Sequence, residues 1–176
     1  MVTKNWYTQV KTHMAMTTIL NGIKNLDGSL YTSGYANNNY GATAVAAMMF
    51  QYSTVTLTHA SNSIQSRGIC LGSGTTAATI DDYMLENPIS SGLSAMVTKV
   101  YDDEYNRTWV ITLTNTSSDD ITIGEIGYAG EAFYAASGSY STYALYDRTV
   151  LDSPITIPAG GVGQINYTIR FQFPAE

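Results

Sequence analysis

Apolar and polar residues alternate along most of the chain from about residue 45 onward. In the segment 107–114 the side chains of Trp109, Ile111 and Leu113 share one face, and threonines occupy the other. A period of two residues is typical of β-strands with one buried face. The same alternation predicts strands at 50–58, 64–71, 94–101, 121–128 and 142–151, and a last strand with apolar residues Ile165, Tyr167, Ile169, Phe171 and Phe173.

The connections between these strands carry turn-forming residues, at 101–106, 115–120 and 158–161. Consecutive strands that are joined by short turns usually pair in antiparallel fashion. Roughly seven strands without helical patterns between them predict an all-β fold. We therefore expect an antiparallel β-sandwich with jelly-roll-like topology over residues 45–176.

Residues 1–44 lack this alternation and form a predicted N-terminal arm. Trp6, Val10 and Met14 recur near helical spacing, which predicts a short helix. Large apolar side chains that a segment cannot bury by itself are usually buried by a partner, so we expect the arm to dock on another subunit. The alternative is that the arm adds a strand and a helix to the same sandwich. The predicted docking residues are Trp6, Tyr7, Met14, Tyr31, Tyr35 and Tyr40.

The chain has few charged residues, and its net charge is negative; both properties limit the kinds of molecule that it can bind. Only 12% of the residues are charged, where about 25% is usual, which favours a surface that neighbouring subunits cover. The net charge of −6 and the scattered basic residues argue against nucleic acid as a partner. The first residues lack the apolar centre of a secretory signal, and no apolar run is long enough to span a membrane. We expect a protein made in the cytoplasm without a membrane partner.

The glycine-rich turn Gly72-Ser73-Gly74-Thr75-Thr76 raises the question of a phosphate site. A phosphate loop needs a lysine and a hydroxyl directly after its last glycine, whereas the first charges here are Asp81 and Asp82. The dinucleotide fingerprint fails as well, because Ala77 stands where its third glycine belongs. The turn is therefore predicted to end a strand, with glycines that adopt positive φ.

Patterns for catalysis and metal binding are missing from the sequence. His13 and His59 have no partners at zinc-ligand spacing, and no G-x-S-x-G motif occurs. The Asp81-Asp82 pair suits a polysaccharide hydrolase only if both carboxylates face one site, and adjacent aspartates point apart. We expect no enzyme activity, no metal and no cofactor. Cys70, the only cysteine, lies between apolar residues and is predicted to be a buried, inert thiol.

Glu125 is the one charged residue at an apparent core position. It shares parity with Ile121 and Ile123, so it points into the core unless a bulge at Gly124 shifts the register. Arg148 is the most suitable partner for it. Two interpretations stay open: a buried ion pair that acts on packing and specificity, or a bulge that turns Glu125 to solvent.

The stretch FYAASGSYSTY, residues 133–143, combines aromatic with small polar residues, the composition of recognition loops. Its candidate contact residues are Phe133, Tyr134, Tyr140 and Tyr143. Because tyrosine rings stack well on sugars, a carbohydrate-binding β-sandwich that recognises a receptor is the alternative function. The competing interpretation of the same residues is that they cover the domain's own core.

Two regions resemble structural proteins of tailed bacteriophages. Residues 67–86, with RGICLGSGTT followed by DDYMLE, are similar to the pattern GI-x-LGSGTT…DDY-x-LE of these proteins. The segments ITIGEIGY at 121–128, LYDRTVL at 145–151, SPITIPAG at 153–160 and YTIR at 167–170 resemble their C-terminal half. Ala77 and Ala78 depart from the pattern, because family members often carry proline there.

The resemblance implies a virion component that folds as a β-sandwich and assembles with other subunits. A collar, tail-adaptor, head-fibre or capsid-decoration protein fits this description. The implied partners are further copies of the chain and capsid, portal or tail subunits, and the implied location is the virion. Together with the low charge and the missing catalytic groups, the resemblance makes a non-enzymatic structural protein the leading hypothesis.

Overall fold

The computed structural model of the chain describes residues 26, 28, 54–57, 68–103, 106–136 and 138–170. These ranges contain seven strands and no helix, so the predicted all-β fold is confirmed. The strands are β1 Val55–Thr56, β2 Gly68–Gly72, β3 Leu93–Asp102, β4 Asn106–Asn115, β5 Ile121–Ala136, β6 Gly138–Ile157 and β7 Val162–Arg170.

The strands form two sheets that pack as a β-sandwich. The first sheet has the order β1-β2-β5-β6 and the second the order β3-β4-β7. All neighbours are antiparallel except β1 and β2, which pair in parallel through Val55 opposite Ile69. The jelly-roll topology, which requires eight strands in two Greek keys, stays a prediction because the described residues supply seven.

Aromatic side chains from both sheets meet in the core between them. The indole of Trp109 in β4 lies 5.4 Å from the ring of Tyr128 in the opposite sheet and 5.7 Å from the ring of Tyr167 in β7. Trp109 and Tyr128 have no exposed surface. The alternating apolar positions of the sequence are the cause, because they give each sheet one face that must be buried.

The first sheet is also covered on its outer face. A second buried cluster lies there, made of Leu26, Cys70, Leu85, Ala129, Tyr143 and Leu145. All five residues of β2 are therefore buried, which explains its continuous apolar run. Leu26 belongs to the predicted arm 1–44, yet it is 2% exposed, and its N–H donates a hydrogen bond to the carbonyl of Tyr143 at 3.3 Å.

The hairpin of β5 and β6 is longer than the sequence predicts. Its pairing runs from Ile121 opposite Ile157 to Ala136 opposite Gly138. The prediction of a loop over 133–143 is thus wrong for the backbone, which is strand on both sides of residue 137. The predicted strands stopped early because alanine, glycine and serine interrupt the alternation of apolar residues there.

Two irregularities change which residues of this hairpin face the core. The register shifts between Ile123 and Glu125, so Ile123 and Ile126 both face the core although they lie three residues apart. As a result, Glu125 lies on the outer face of the sheet. A second shift opposite Tyr128 makes Tyr146 an extra residue of β6. The outer face near the first shift carries the candidate site.

Candidate functional site

Glu125 and Arg148 form a buried ion pair on the outer face of the first sheet. The Nε atom of Arg148 lies 2.7 Å from Oε2 of Glu125, and the two residues are 3% and 0% exposed. The register does shift at Gly124, but Glu125 has no exposed surface, so the shift does not turn it to solvent and the residue lies in the buried pair. The bulge moves Glu125 out of the core, and the segment that follows β2 then covers it.

Arg148 also binds three groups of that covering segment. It donates to Oδ2 of Asp82 at 2.8 Å, to the carbonyl of Thr76 at 3.1 Å and to Oε2 of Glu86 at 3.4 Å. The guanidinium group therefore ties β6 to β5 and to the segment 73–88. We call Thr76, Asp82, Glu86, Glu125 and Arg148 the clamp.

The glycine-rich turn binds carboxylates of its own chain. The N–H of Gly74 donates to Oε1 of Glu125 at 3.2 Å, and the N–H groups of Thr75 and Thr76 both donate to Oε2 of Glu86 at 2.9 Å. The N–H of Asn87 adds a further bond to Oε1 of Glu125, at 2.8 Å. Converging backbone N–H groups are the usual device for holding an anion, and here the anions are side chains of the protein itself.

Close approach, rather than positive φ, explains the two glycines of this turn. Positive φ occurs at Gly28, Gly68, Gly92 and Gly160, so the prediction of positive φ at Gly72 and Gly74 is wrong. A Cβ atom on either of these two residues would overlap Oε1 of Glu125, at 2.6 Å in the case of Gly74. The carboxylate of Glu125 thus requires glycine at both positions, together with Glu86 beside Gly74 and the carbonyl of Asn87 beside Gly72.

Two carboxylates of the clamp, Asp82 and Glu86, are held in their ionised forms. Burial acts to raise the pKa of Asp82, but hydrogen bonds from Arg148 and Thr79 outweigh it and hold that pKa below its ordinary value. The hydroxyl and N–H of Thr76 lower the pKa of Glu86 in the same way. A general acid in a glycosidase needs a raised pKa. The lowered values, with hydrogen bonds to both carboxylate groups, favour a structural role for Asp82 and Glu86.

A groove of about 460 Å³ lies beside the clamp. Tyr83, Met84 and Leu85 give it a largely apolar wall, and Asp81 and Glu86 lie among its lining residues. Arg148 reaches it as well, but the guanidinium group is engaged by the clamp. We call this feature the groove.

Two further buried polar groups, Tyr167 and Cys70, do not belong to the clamp. The hydroxyl of Tyr167 donates to Oδ2 of Asp147 at 2.6 Å in the core. Cys70 is buried in the second cluster on the outer face of the first sheet, as predicted, and burial raises its pKa to about 12. A thiol with such a pKa is almost entirely protonated and unreactive at neutral pH.

The outer face of the second sheet is uncharged over most of its area. Its residues follow the register of β3, β4 and β7, in which Met96 lies opposite Thr112 and Thr112 opposite Gln164. Met96, Tyr101 and Val162 are 63%, 55% and 69% exposed. Of the described residues on this face, Lys99 and Arg170 carry a charge. We call it the threonine face; sequence reasoning noted its threonines only as the polar side of a strand.

Most predicted contact residues lie outside the described part of the chain. This holds for Trp6, Tyr7, Met14, Tyr31, Tyr35 and Tyr40, and for the side chains of Phe133, Tyr134 and Tyr140. Tyr143 is buried in the second cluster, so its ring faces the protein and not a ligand.

The described ranges hold no group of three or more His, Cys, Asp or Glu side chains placed to bind a metal ion. Within the same ranges, no helix has the length and apolar character to cross a membrane.

Comparison of the chain with models of protein families, with curated proteins and with solved structures finds no match.

Proposed function

We propose that the protein is a non-enzymatic structural subunit of a bacteriophage virion. In this role it is a collar, tail-adaptor, head-fibre or capsid-decoration protein that assembles with copies of itself and with capsid, portal or tail subunits. The proposal places it in the virion after synthesis in the bacterial cytoplasm.

The observation that carries the proposal is the location of the residues that resemble phage structural proteins. They come from three distant segments, at 67–86, 121–128 and 145–151. These segments supply Glu125, Arg148 and the glycine turn, which contact one another in the clamp. The segments that carry the resemblance therefore belong to one contact network in the fold, and this supports the proposal.

The threonine face supports assembly through a second copy of this chain. A β-sheet face with exposed Met96 and Val162 among uncharged polar side chains is suited to burial against another protein surface. Depletion of charge is typical of the centre of such interfaces. The charged fraction of 12% for the whole chain agrees with extensive coverage by neighbours.

Mass spectrometry of washed, purified particles of the phage that encodes the chain tests the proposal. We expect the chain at a constant copy number per particle, and a particle reconstruction should place its β-sandwich. Absence of the chain from washed particles would overturn the proposal. Glycan-array binding that is lost on Tyr134→Ala or Tyr140→Ala would support the carbohydrate-binding alternative instead.

A further inference from the structure

We propose that the outer edge of β7 pairs with the same edge of a second copy of the chain, in antiparallel register about Asn166. Two copies of the sheet β3-β4-β7 then form one sheet of six strands. The inference concerns the purified chain and goes beyond the proposed function, which requires no particular strand edge. It rests on the hydrogen-bonding pattern of β7, on a comparison of the strand edges and on the placement of charge along the strand.

Half of the backbone groups of β7 point away from its neighbour β4. Among the described residues β7 is the last strand of its sheet, and none of them pairs with its outer edge. The N–H of Asn115 donates to the carbonyl of Gly161 at 2.9 Å, and the register continues from this pair along both strands. Because hydrogen-bonded pairs alternate along an antiparallel ladder, the odd-numbered residues of β7 bond to β4. The even-numbered residues present their N–H and C=O groups at the outer edge; they are Val162, Gln164, Asn166, Thr168 and Arg170.

The other described strand edges of the sandwich carry features that hinder pairing. Proteins protect exposed edges with short strands, bulges, proline and lysine. The strand β1 has two residues, and β3 has a register shift beside Lys99. The strand β6 contains Pro154, and its Tyr143 accepts a hydrogen bond from Leu26. In contrast, β7 has nine residues, contains neither proline nor lysine and pairs with β4 without a register shift. Such an edge is a template for a further strand.

A second copy of β7 fits this edge because the strand is complementary to itself in antiparallel orientation. When Asn166 lies opposite Asn166 of the second copy, Gln164 lies opposite Thr168 and Val162 opposite Arg170. All of these residues present their backbone groups at the edge, so five hydrogen-bonded pairs supply about ten backbone hydrogen bonds. Main-chain bonds of this kind provide the affinity when a strand is added to a sheet.

Side chains on both faces of the shared ladder are compatible with this register. On the inner face, Ile165 of each copy lies opposite Tyr167 of the other, and aliphatic–aromatic pairs across strands are stabilising. Arg170 is the only charged residue of β7. Parallel pairing in register would place two such residues side by side, where like charges are destabilising. The antiparallel register separates them by about 26 Å, because eight residues lie between the two positions along the ladder.

Engineered cysteines test the register in the full chain. Residues of a hydrogen-bonded pair have Cα atoms about 5.5 Å apart, and a disulfide requires less than about 7 Å. We expect Asn166→Cys to form a disulfide-linked dimer by itself under mild oxidation. Gln164→Cys and Thr168→Cys should each link slowly alone, because identical positions lie about 13 Å apart, and should link rapidly when the two are mixed. The wild-type chain is the control, since its only cysteine, Cys70, is 1% exposed.

Charge at the centre of the ladder provides a second test. Asn166→Asp should weaken dimerisation several-fold in sedimentation equilibrium, because two carboxylates come directly opposite each other. An equal mixture of Asn166→Asp and Asn166→Lys chains should restore the dimer. Ile155→Asp, at an exposed position on an edge strand of the other sheet, is the matched control and should leave the dimer unchanged.

Two results would overturn the proposal: a wild-type chain that stays monomeric, or Gln164→Cys chains that link as fast alone as in the mixture with Thr168→Cys. The virion role is tested separately by the presence of the chain in washed particles, so the failure of one proposal is distinguishable from the failure of the other.

Discussion

The guanidinium group of Arg148 contacts Glu125 through Nε at 2.7 Å and Asp82 through Nη1 at 2.8 Å, so one side chain joins the strand pair β5–β6 to the segment that covers it. Glu125 has no exposed surface, and Arg148 is 3% exposed. A buried charge that loses its partner stays desolvated without compensation.

Removal of either partner of the buried pair should destabilise the fold strongly. We expect Arg148→Met to lower the free energy of unfolding by about 3–5 kcal/mol, because it leaves the buried carboxylate of Glu125 without a counter-ion. Glu125→Gln should cost less, because Asp82 still pairs with Arg148. Urea denaturation followed by circular dichroism measures the change. The double variant should lose less than the sum of the two single variants, since neither charge then remains; additive losses would argue against a direct interaction.

Alanine at Gly72 or Gly74 should be destabilising for a steric reason that depends on Glu125. The added Cβ overlaps the carboxylate, and overpacking of this kind costs about 1–3 kcal/mol. Gly163→Ala is the control, because its Cβ would meet only the flexible side chain of Ile157, at 3.2 Å. In a Glu125→Ala background the penalty of Gly74→Ala should shrink but not vanish, because the added Cβ would still lie 2.7 Å from Cβ of Glu86. An equal penalty in both backgrounds would mean that the carboxylate is not the cause.

Acid should weaken the clamp. The pKa values of Asp82 and Glu86 are lower in the folded than in the unfolded state, so their stabilising effect is complete above the unfolded pKa values and is lost as pH falls through the folded ones. Urea midpoints should therefore decrease as pH falls below about 4. Arg148→Met should show a weaker dependence, because it removes one cause of both lowered pKa values. If the urea midpoint depended on pH equally in the wild-type protein and in Arg148→Met, Arg148 would not be a cause of the lowered pKa values.

Cys70 should report unfolding and not surface chemistry. Its thiol has a pKa of about 12 and is 1% exposed, so it should react with Ellman's reagent only when the protein unfolds. We expect no fast phase in native protein at about pH 8. One thiol per chain should appear in denaturant, because Cys70 is the only cysteine. A fast native reaction would show that the second cluster opens readily.

Leu26→Ala should cost about 2–5 kcal/mol of stability, the usual range for a leucine that is fully buried. The measurement is again urea denaturation. Ile80→Ala, at a position that is 54% exposed, is the control and should have little effect. If Leu26→Ala also had little effect, the N-terminal region would contribute nothing to the second cluster. The expected result implies that a boundary at residue 44 cuts through the folded unit.

Charge on the threonine face should prevent self-association, if the proposed role in assembly is correct. Met96→Lys and Val162→Lys place charges at positions that are more than 60% exposed, so the monomer should keep its stability while its association weakens. Sedimentation equilibrium measures the change. Ile155→Lys, on the other sheet, serves as the control. Unaltered association in both face variants would exclude this surface as the interface.

The sequence by itself determined the fold class and the approximate positions of the strands. Apolar residues at every second position lie on one face only in a β-strand, and that face must be buried in a core. It also indicated Glu125 and Arg148 as partners and Cys70 as a buried thiol. These properties depend on local pattern and on the cost of burying charge, and both can be read along the chain.

Only the tertiary structure decided what the glycine turn binds and where Glu125 lies. A bulge at Gly124 moves the carboxylate to the outer face, and the turn then folds over it with its N–H groups inward. Residues 74, 86 and 125 are distant in sequence, so no local pattern could predict that Gly74 must lack a side chain because Glu125 and Glu86 occupy that space. The extension of the β5–β6 hairpin was decided in the same way, because cross-strand pairing stabilised alanine, glycine and serine positions that carry no strand signal of their own.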